Sequence, residues 1–277
     1  MNGGLIRNLR WLVPLSVVVA IVLLAVLAPL VAPYDPNAQN LLGRLKTPGT
    51  ESRAFVYWLG SDELGRDVLS RLIHGARVSL AVAFAAALIS GTVGVMLGML
   101  AAYYRGWLET IVMRIVDVFL SIPAILLAIL TVAVIGPGLV NVILVLALTR
   151  WPRYARVAYG QTLGIANMPY VRIARQMGAG GPRILLRHVL PNLIGAVTVV
   201  ATLEFGLMVL FEAGLSFLGL GVQPPTASWG AMLSTGRNYL DSAWWIATFP
   251  GLCLFVLVLS INLLGDDLRD RFDPRLN

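Results

Sequence analysis

Residues 78–102 read VSLAVAFAAALISGTVGVMLGMLAA, a stretch that contains no charged side chain. Two further runs, 11–31 and 245–264, are also free of charge. A helix rises about 1.5 Å per residue, so each run is long enough to cross a hydrocarbon core about 30 Å thick. A barrel strand crosses the same core in about ten residues, which is half the length seen here. The runs therefore predict membrane-spanning α-helices.

The overall composition agrees with a membrane protein. Of the 277 residues, 58% are hydrophobic and only 13% are charged, whereas a soluble domain carries about a quarter charged residues. A net charge of +7 could indicate a nucleic-acid partner, but the cations punctuate apolar runs instead of forming a stripe. We therefore expect a lipid bilayer as the surroundings and no nucleic acid. One cysteine, Cys253, gives no intrachain disulfide and no cysteine-built metal site.

Three less regular runs supply further spans. The region 118–149 is free of charge but contains a Gly-Pro-Gly sequence at 136–138, which breaks a helix. It predicts a hairpin of two helices, the first beginning near Arg114 and the second continuing past Pro152. The sixth span is Leu193–Phe217. The predicted fold class is an all-α membrane protein with six transmembrane helices.

Arginine placement predicts the orientation. The stretch 150–192 contains seven arginines and no acidic residue, which places it in the cytoplasm by the positive-inside rule. An even number of spans then puts both chain ends inside. The predicted organisation is a cytoplasmic N-terminus (1–10), a first span (11–32), an extracytoplasmic segment (33–77), a membrane core (78–265) with a cytoplasmic loop (159–192), and a cytoplasmic tail (266–277).

Residues 167–178 read NMPYVRIARQMG and predict a short amphipathic helix in that loop. Asn167 suits an N-cap, Pro169 suits a first turn, and Gly178 suits the position after the last turn. The apolar residues fall at helical spacing on one stripe: Tyr170, Ile173, Ala174 and Met177. Such a stripe needs cover, either from the lipid interface or from a groove on a partner protein.

The same loop carries a resemblance to a known family. Gly178 is followed twelve residues on by Leu190 and then Pro191, which resembles the cytoplasmic signature loop of binding-protein-dependent ABC importer permeases. One departure is Arg172-Ile173-Ala174, which stands where that loop usually has Glu-Ala-Ala. Two further segments resemble the dipeptide, oligopeptide and nickel branch of that family, in particular the second permease of the pair: WLGSDELGRD at 58–67 and LSFLGLGVQPP at 215–225.

That resemblance implies a type I ABC importer permease in the bacterial inner membrane. It implies a homologous permease partner, two cytoplasmic ATPase subunits and an extracytoplasmic substrate-binding protein. The implied cargo is peptides, with nickel or other small peptide-like solutes as the alternative. Residues implied to couple the permease to the ATPase are Tyr170, Val171, Arg172, Ile173, Ala174, Met177, Gly178, Leu190 and Pro191.

No enzyme signature is found in the sequence. There is no Walker A phosphate loop, nucleophile elbow or zinc-spaced pair, so ATP hydrolysis and its nucleotide are expected on separate subunits, and no cofactor is expected here. A stand-alone secondary transporter is the rival class. It would show inverted repeats and broken helices at mid-membrane, and the sequence indicates neither.

Acidic residues inside predicted spans are candidate functional groups. Glu204 is predicted to face the translocation path and to meet cationic groups on the cargo, with an internal hydrogen bond as the alternative. Glu212 is a second candidate for the path, although structural pairing is favoured there. Asp117 is expected to pair with Arg114 on one helix surface.

The extracytoplasmic segment holds the last candidates. Asp62, Arg66 and Asp67 are expected to form ion pairs on the outer surface, where they either cap the fold or contact the substrate-binding protein. Trp229 is expected in an interfacial loop at the depth of the lipid headgroups.

Overall fold

A computed structural model describes residues 3–52 and 56–272, with side chains described for 11–52 and 56–271. The outermost residues of the predicted termini, 1–2 and 273–277, lie outside the described residues. The described helices are α1 (Gly3–Val26), α2 (Ala28–Val31), α3 (Val68–Tyr104), α4 (Gly106–Ser121), α5 (Ala124–Ile135), α6 (Leu139–Ile165), α7 (Pro169–Gln176), α8 (Gly181–Ile184), α9 (Leu190–Phe217), α10 (Trp229–Gly236) and α11 (Trp245–Phe272). Strands β1 (Thr50–Glu51) and β2 (Val56–Tyr57) pair antiparallel.

Three described helical stretches are long and apolar enough to cross a bilayer: α3, the run from α8 through α9, and α11. The pair α4 and α5 would count as a fourth if it is one broken span. Helix α6 is long enough, but it carries Arg150, Arg153 and Arg156. The all-α prediction is therefore confirmed, while the count of six spans and the inward orientation of both ends stay predictions.

The hairpin predicted between Arg114 and Pro152 has a different shape. Helix α4 ends at Ser121, and α5 leaves it at an angle of 95°. Pro123 explains the bend, because a proline lacks an amide hydrogen and disfavours helical geometry in the residue before it. Ile122 accordingly has an extended ψ of 131°. The break at 136–138 is confirmed, with Gly136 and Gly138 both at positive φ.

Helix α3 begins ten residues earlier than the apolar run 78–102 suggests. Its N-cap is Asp67, whose carboxylate accepts hydrogen bonds from the Ser70 backbone N at 2.8 Å and the Ser70 Oγ at 2.7 Å. A capped first turn is stable in water as well as in lipid, so hydropathy alone does not locate this helix start. The helix therefore projects beyond the predicted span.

Small residues bring α3 and α6 into close contact, and this is the most extensive helix pairing of the fold. A Cβ added at Gly94 would lie 2.7 Å from Tyr154 Cβ, and one added at Gly98 would lie 3.0 Å from Ala155 Cα. Both distances are shorter than any ordinary carbon contact. The glycines of α3 thus form a tight packing face that is directed at α6.

The remaining helices surround this pair. Helix α9 packs on α11, α3 and α6, while α1 packs on α11 and α3. Helix α10 closes one end against α11 and α9. This arrangement leaves one side of α4, α6, α9 and α11 facing a common open groove.

Candidate functional site

Helix α7 forms where the sequence predicts it, with small differences at its start. Its N-cap is Met168, not Asn167, whose side chain bonds within the preceding turn instead. The C-terminal end is as predicted, with Gly178 at φ 86°. The Gly178 amide donates to the Arg175 carbonyl, and the Ala179 amide donates to the Ala174 carbonyl, both at 3.0 Å. This pair of bonds is a Schellman motif, which fixes the end of the helix.

The predicted apolar stripe of α7 is largely left uncovered by the described part of the chain. Tyr170 is 42% exposed, Ile173 is 54% exposed and Met177 is 84% exposed. Val171, which lies outside that stripe, is completely buried instead. The helix is thus anchored by one residue and presents its apolar stripe outward.

Further contacts fasten α7 to the ends of the long helices. The Arg175 guanidinium lies 5.0 Å from the centre of the Tyr103 ring at the end of α3, a distance suited to a cation–π contact. Asn192 near the start of α9 donates a hydrogen bond to the Tyr170 hydroxyl at 3.3 Å. A displacement of α7 would therefore also act on the adjoining ends of α3 and α9.

The open groove has a volume of about 760 Å³. Its walls are largely apolar residues of α4, α6 and α9, and its polar lining residues are Arg153, Arg156, Glu204, Asn262 and Asp266. We call this the charged groove. Arg153 lies about 21 Å along α6, which is roughly half the length of that helix. The Arg153 charge therefore stands near the middle of the helix and not at its end.

Glu204 lines this groove, but its carboxylate is occupied. It is 2% exposed and accepts hydrogen bonds from Arg150 Nη1 at 3.4 Å and from Arg153 Nη1 at 3.3 Å. The Arg150 side chain is itself buried, with its guanidinium 3.9 Å from the centre of the Phe211 ring. The structure thus shows the internal hydrogen bonds that were the alternative, and the place of Glu204 on a translocation path stays a prediction.

The predicted pairing of Asp117 with Arg114 is wrong. Asp117 forms its ion pair with Arg156 of α6, which is distant in sequence. Both partners are about half exposed, with side-chain values of 51% for Asp117 and 45% for Arg156. This pair ties α4 to α6 at the edge of the charged groove.

Glu212 lies elsewhere, fully buried between α3 and α9. Its carboxylate accepts hydrogen bonds at 2.8 Å from the hydroxyls of Ser79 and Ser216. Ser79 Oγ in turn accepts a bond at 3.3 Å from the Trp229 backbone N. Glu212 does not line the charged groove and instead joins two long helices to the start of α10.

Asp62 and Arg66 do form an ion pair, but inside the protein, whereas Asp67 forms no ion pair with a described residue and caps α3 instead. The Asp62 carboxylate accepts bonds from the Arg66 Nε at 2.6 Å and from the backbone N of Leu64 and Arg66, each at 2.9 Å. Arg71 Nε lies 3.5 Å from the same carboxylate. Asp62, Arg66 and Asp67 are at most 6% exposed. The expectation of surface ion pairs is therefore corrected.

Burial also affects the acidic groups of this segment. It raises the pKa of the Asp67 carboxyl, against which the Ser70 hydrogen bonds act. It likewise raises the pKa of Glu63, assisted by the neighbouring negative charge of Asp62. Asp67 is fully buried and has no free surface for a partner, whereas the Glu63 side chain stays 20% exposed.

Trp229 is not interfacial. It is 2% exposed, and its indole Nε1 donates to the Leu72 carbonyl at 2.9 Å. The exposed apolar residues of the external segment are others, with Trp58 at 62%, Leu41 at 64% and Leu42 at 91%. The sequence gives no signal that Trp229 is buried while Trp58 is exposed, because hydropathy does not distinguish a buried indole from an exposed one.

Among the described residues, no group of three or more His, Cys, Asp or Glu side chains could hold a metal ion. Long apolar helices, a charged groove and an amphipathic helix with an exposed stripe together define a helical membrane protein with a charged groove on one open side.

Comparisons with known proteins agree with that class. Residues 94–277 match the family described as "Binding-protein-dependent transport system inner membrane component", and residues 5–48 match the N-terminal transmembrane domain of oligopeptide transport permease C. This chain belongs to that family of inner membrane transport components. It is accordingly a multi-pass permease of the bacterial inner membrane.

Curated relatives cover most of the chain. A di/tripeptide transport system permease of Pseudomonas aeruginosa is 45% identical over 92% of this chain and 85% of its own length. A glutathione transport system permease of Pectobacterium atrosepticum is 42% identical over 94% of this chain and 85% of its own. A dipeptide transport system permease of Alkalihalophilus pseudofirmus is 38% identical over 98% of this chain and 87% of its own.

A solved structure of similar fold comes from the MetNI methionine ABC transporter in an inward-facing conformation. It aligns with a TM-score of 0.59 over 73% of this chain and 96% of the other, at 23% identity. At that identity the likeness shows a shared fold and nothing about cargo.

Proposed function

We propose that this chain is one of two membrane-spanning permease subunits of an ATP-driven importer and that the importer carries short peptides. The names of the similar permeases support peptides as the cargo, since those proteins transport dipeptides, tripeptides or glutathione by name. Nickel or another small peptide-like solute is the second candidate, carried by the same architecture.

The observation that carries the proposal is the exposed stripe of α7. Tyr170, Ile173 and Met177 stand outward on a helix whose C-terminal end is fixed and whose Val171 is anchored. An apolar helix face of this kind is typical of a helix that enters a groove on a partner. A cytoplasmic ATPase subunit is the partner we assign, and Arg172, Ala174, Gly178, Leu190 and Pro191 complete the coupling loop.

The charged groove supports a second permease on the open side. A half-exposed ion pair such as Asp117–Arg156 would be costly against hydrocarbon. Its surroundings must therefore be protein or water. A homologous permease facing the groove would enclose a polar path between the two subunits, with Glu204 in its wall. Glu212 lies off this path and keeps a structural role.

The contacts of α7 with α3 and α9 would couple the ATPase subunits to the membrane helices. When the two ATPases close on ATP, each would move the coupling helix that it holds. The Arg175–Tyr103 contact and the Tyr170–Asn192 bond would pass that movement to α3 and α9. Such a rigid-body shift between two packings can open the path to one side or the other.

An extracytoplasmic binding protein would deliver the cargo. The exposed apolar residues Leu41, Leu42 and Trp58 offer it a surface on the external segment. The buried network around Asp62, Arg66 and Asp67 would hold that surface in place, and Trp229, bonded to the Leu72 carbonyl, would help to hold the first turns of α3. This assigns a supporting role to residues first considered as direct contacts.

Site-directed photo-crosslinking tests the proposal. Cys253 is the only cysteine, so a Cys253→Ala background accepts a single new thiol at Met177→Cys or, as the matched control, at Leu42→Cys. A benzophenone label at 177 should capture an ATPase subunit in the intact complex, and a label at 42 should not.

Two further measurements complete the test. The thiol at 42 should react with a membrane-impermeant reagent from outside the cell, and the thiol at 177 should not. Purified complex in proteoliposomes should take up dipeptides only with ATP and the binding protein. If position 177 is labelled from outside, or captures only lipid, the assignment is wrong.

A further inference from the structure

The charged groove presents positive charge, whereas the sequence predicted that the acidic group of Glu204 would meet cations on the cargo. Glu204 cannot offer its charge to cargo, because Arg150 and Arg153 already hold both carboxylate oxygens. Asp117 is likewise occupied by Arg156. Three guanidinium groups thus stand against two carboxylates, which leaves one excess positive charge at this part of the groove.

That excess charge is accessible. The Arg153 side chain is 55% exposed and the Arg156 side chain is 45% exposed, while both line the groove. A guanidinium group presents a fork of N–H donors that matches a carboxylate. The group that fits here is therefore an anion, and a carboxylate fits it best.

The groove wall formed by α11 carries the opposite charge. Asp266 is exposed, lines the same cavity, and forms no ion pair with any described residue. Asn262 stands about one turn earlier on the same helix and also lines the cavity. The groove thus has a cationic part on α6, an anionic part on α11 and apolar walls between them.

We propose that the charged groove binds a short zwitterionic peptide, with its C-terminal carboxylate on Arg153 and Arg156 and its ammonium group toward Asp266. This inference rests on the proposed function as a peptide permease. A volume of about 760 Å³ lies within the range of small-ligand sites, roughly 300–1,000 Å³. The permease itself would then contribute to selection for free peptide termini.

Equilibrium binding to the intact complex tests this directly. The complex contains both permeases and both ATPases, without nucleotide and without the binding protein. The probes are radiolabelled trialanine, its C-terminal amide and its N-acetyl derivative. Wild-type complex should bind trialanine more tightly than either derivative, because each derivative lacks one terminal charge.

Two substitutions should act in opposite directions. Arg156→Gln should weaken trialanine binding about tenfold, which corresponds to one charge-assisted hydrogen bond, and should leave binding of the amide unchanged. Asp117→Asn frees Arg156 from its partner and should tighten trialanine binding a few-fold. Arg156→Lys should restore part of the loss. Asp266→Asn should weaken trialanine but not its N-acetyl derivative.

Arg114→Gln is the matched control, since Arg114 is an exposed arginine of α4 that does not line the groove. It should leave all three affinities unchanged. If the ion pair to Asp117 is merely structural, Asp117→Asn and Arg156→Gln will weaken binding alike. That result, or equal affinities of wild type for trialanine and its amide, or no saturable binding, overturns the inference.

Uptake distinguishes this failure from failure of the proposed function. The wild-type complex should carry out ATP-driven uptake of trialanine in proteoliposomes that also contain the binding protein. Normal uptake without discrimination in the binding assay refutes the groove assignment alone. Absence of uptake for every peptide tested refutes the peptide permease itself.

Discussion

Substitution of Gly98 by alanine is the sharpest test of the fold. The added Cβ would lie 3.0 Å from the Cα and the carbonyl carbon of Ala155, and closer still to its carbonyl oxygen. Ordinary carbon contacts lie at about 3.5–4.0 Å, so α3 and α6 must separate by about 0.5–1 Å. The obstructing atoms are backbone, so no rotamer change can relieve the clash.

The magnitude follows from two opposing effects. Overpacking against a rigid neighbour costs about 1–3 kcal/mol, and the rigid backbone here favours the upper end. Alanine gains about 1 kcal/mol over glycine in helix propensity. The net loss expected for Gly98→Ala is therefore about 2 kcal/mol in the free energy of unfolding.

Gly91 provides a matched control on the same helix face. A Cβ there would meet only the Tyr154 ring edge at 3.4 Å, which a small side-chain movement accommodates. Gly91→Ala should therefore be neutral or stabilising by up to about 1 kcal/mol. Thermal unfolding of the purified complex in detergent measures both variants, with a lower Tm for Gly98→Ala and an equal or higher Tm for Gly91→Ala.

Equal Tm values for the two variants, or a greater loss for Gly91→Ala, would refute the close approach of α3 and α6. The separation has a second consequence that can be followed. Helix α6 carries the arginines of the charged groove, whose bonds to Glu204 are already long. Gly98→Ala should therefore also reduce peptide uptake.

Two further substitutions address Glu212 and Gly178. Glu212→Leu would leave the buried hydroxyls of Ser79 and Ser216 without their acceptor, at about 1–3 kcal/mol for each orphaned group. Glu212→Gln keeps an acceptor and should cost less than about 1 kcal/mol, so a Tm for Gln as low as that for Leu would contradict the assignment. Gly178→Ala meets no atom within 4 Å but must hold φ 86°, at about 1–2 kcal/mol. It should lower ATP-coupled uptake several-fold and lower Tm by no more than Gly98→Ala does, and Gly178→Asn should be milder in both respects; a lower Tm with unchanged uptake for Gly178→Ala would show a role in stability alone.

Much of the fold could be predicted from local signals. Charge-free runs such as 78–102 specify helices because lipid offers no partners for backbone groups. The α7 helix was predictable from Pro169 and Gly178, whose preferences act within one turn. The bend after α4 also had a local signal in Pro123, although the predicted hairpin breaks at 136–138.

The pairing of charges could not be predicted in this way. Asp117 had a cation three residues away in Arg114, but its partner is Arg156, brought near by the packing of α4 on α6. The burial of Asp62 and Trp229 likewise depends on α3, α10 and α11 meeting the external segment. No periodicity along one segment carries that information, since each partner is distant in the chain.

By itself, the sequence determined that the chain is a set of apolar helices with an amphipathic helix in an arginine-rich loop, because those features depend on neighbours within a turn or two. Only the tertiary structure decided which charged residues form ion pairs with one another and which face the groove. Glu204 was expected to meet cations on cargo, yet Arg150 and Arg153 reach it first. A buried carboxylate whose two oxygens are already held by guanidinium groups offers little attraction to a further cation, and that pairing depends on distances that only packing sets.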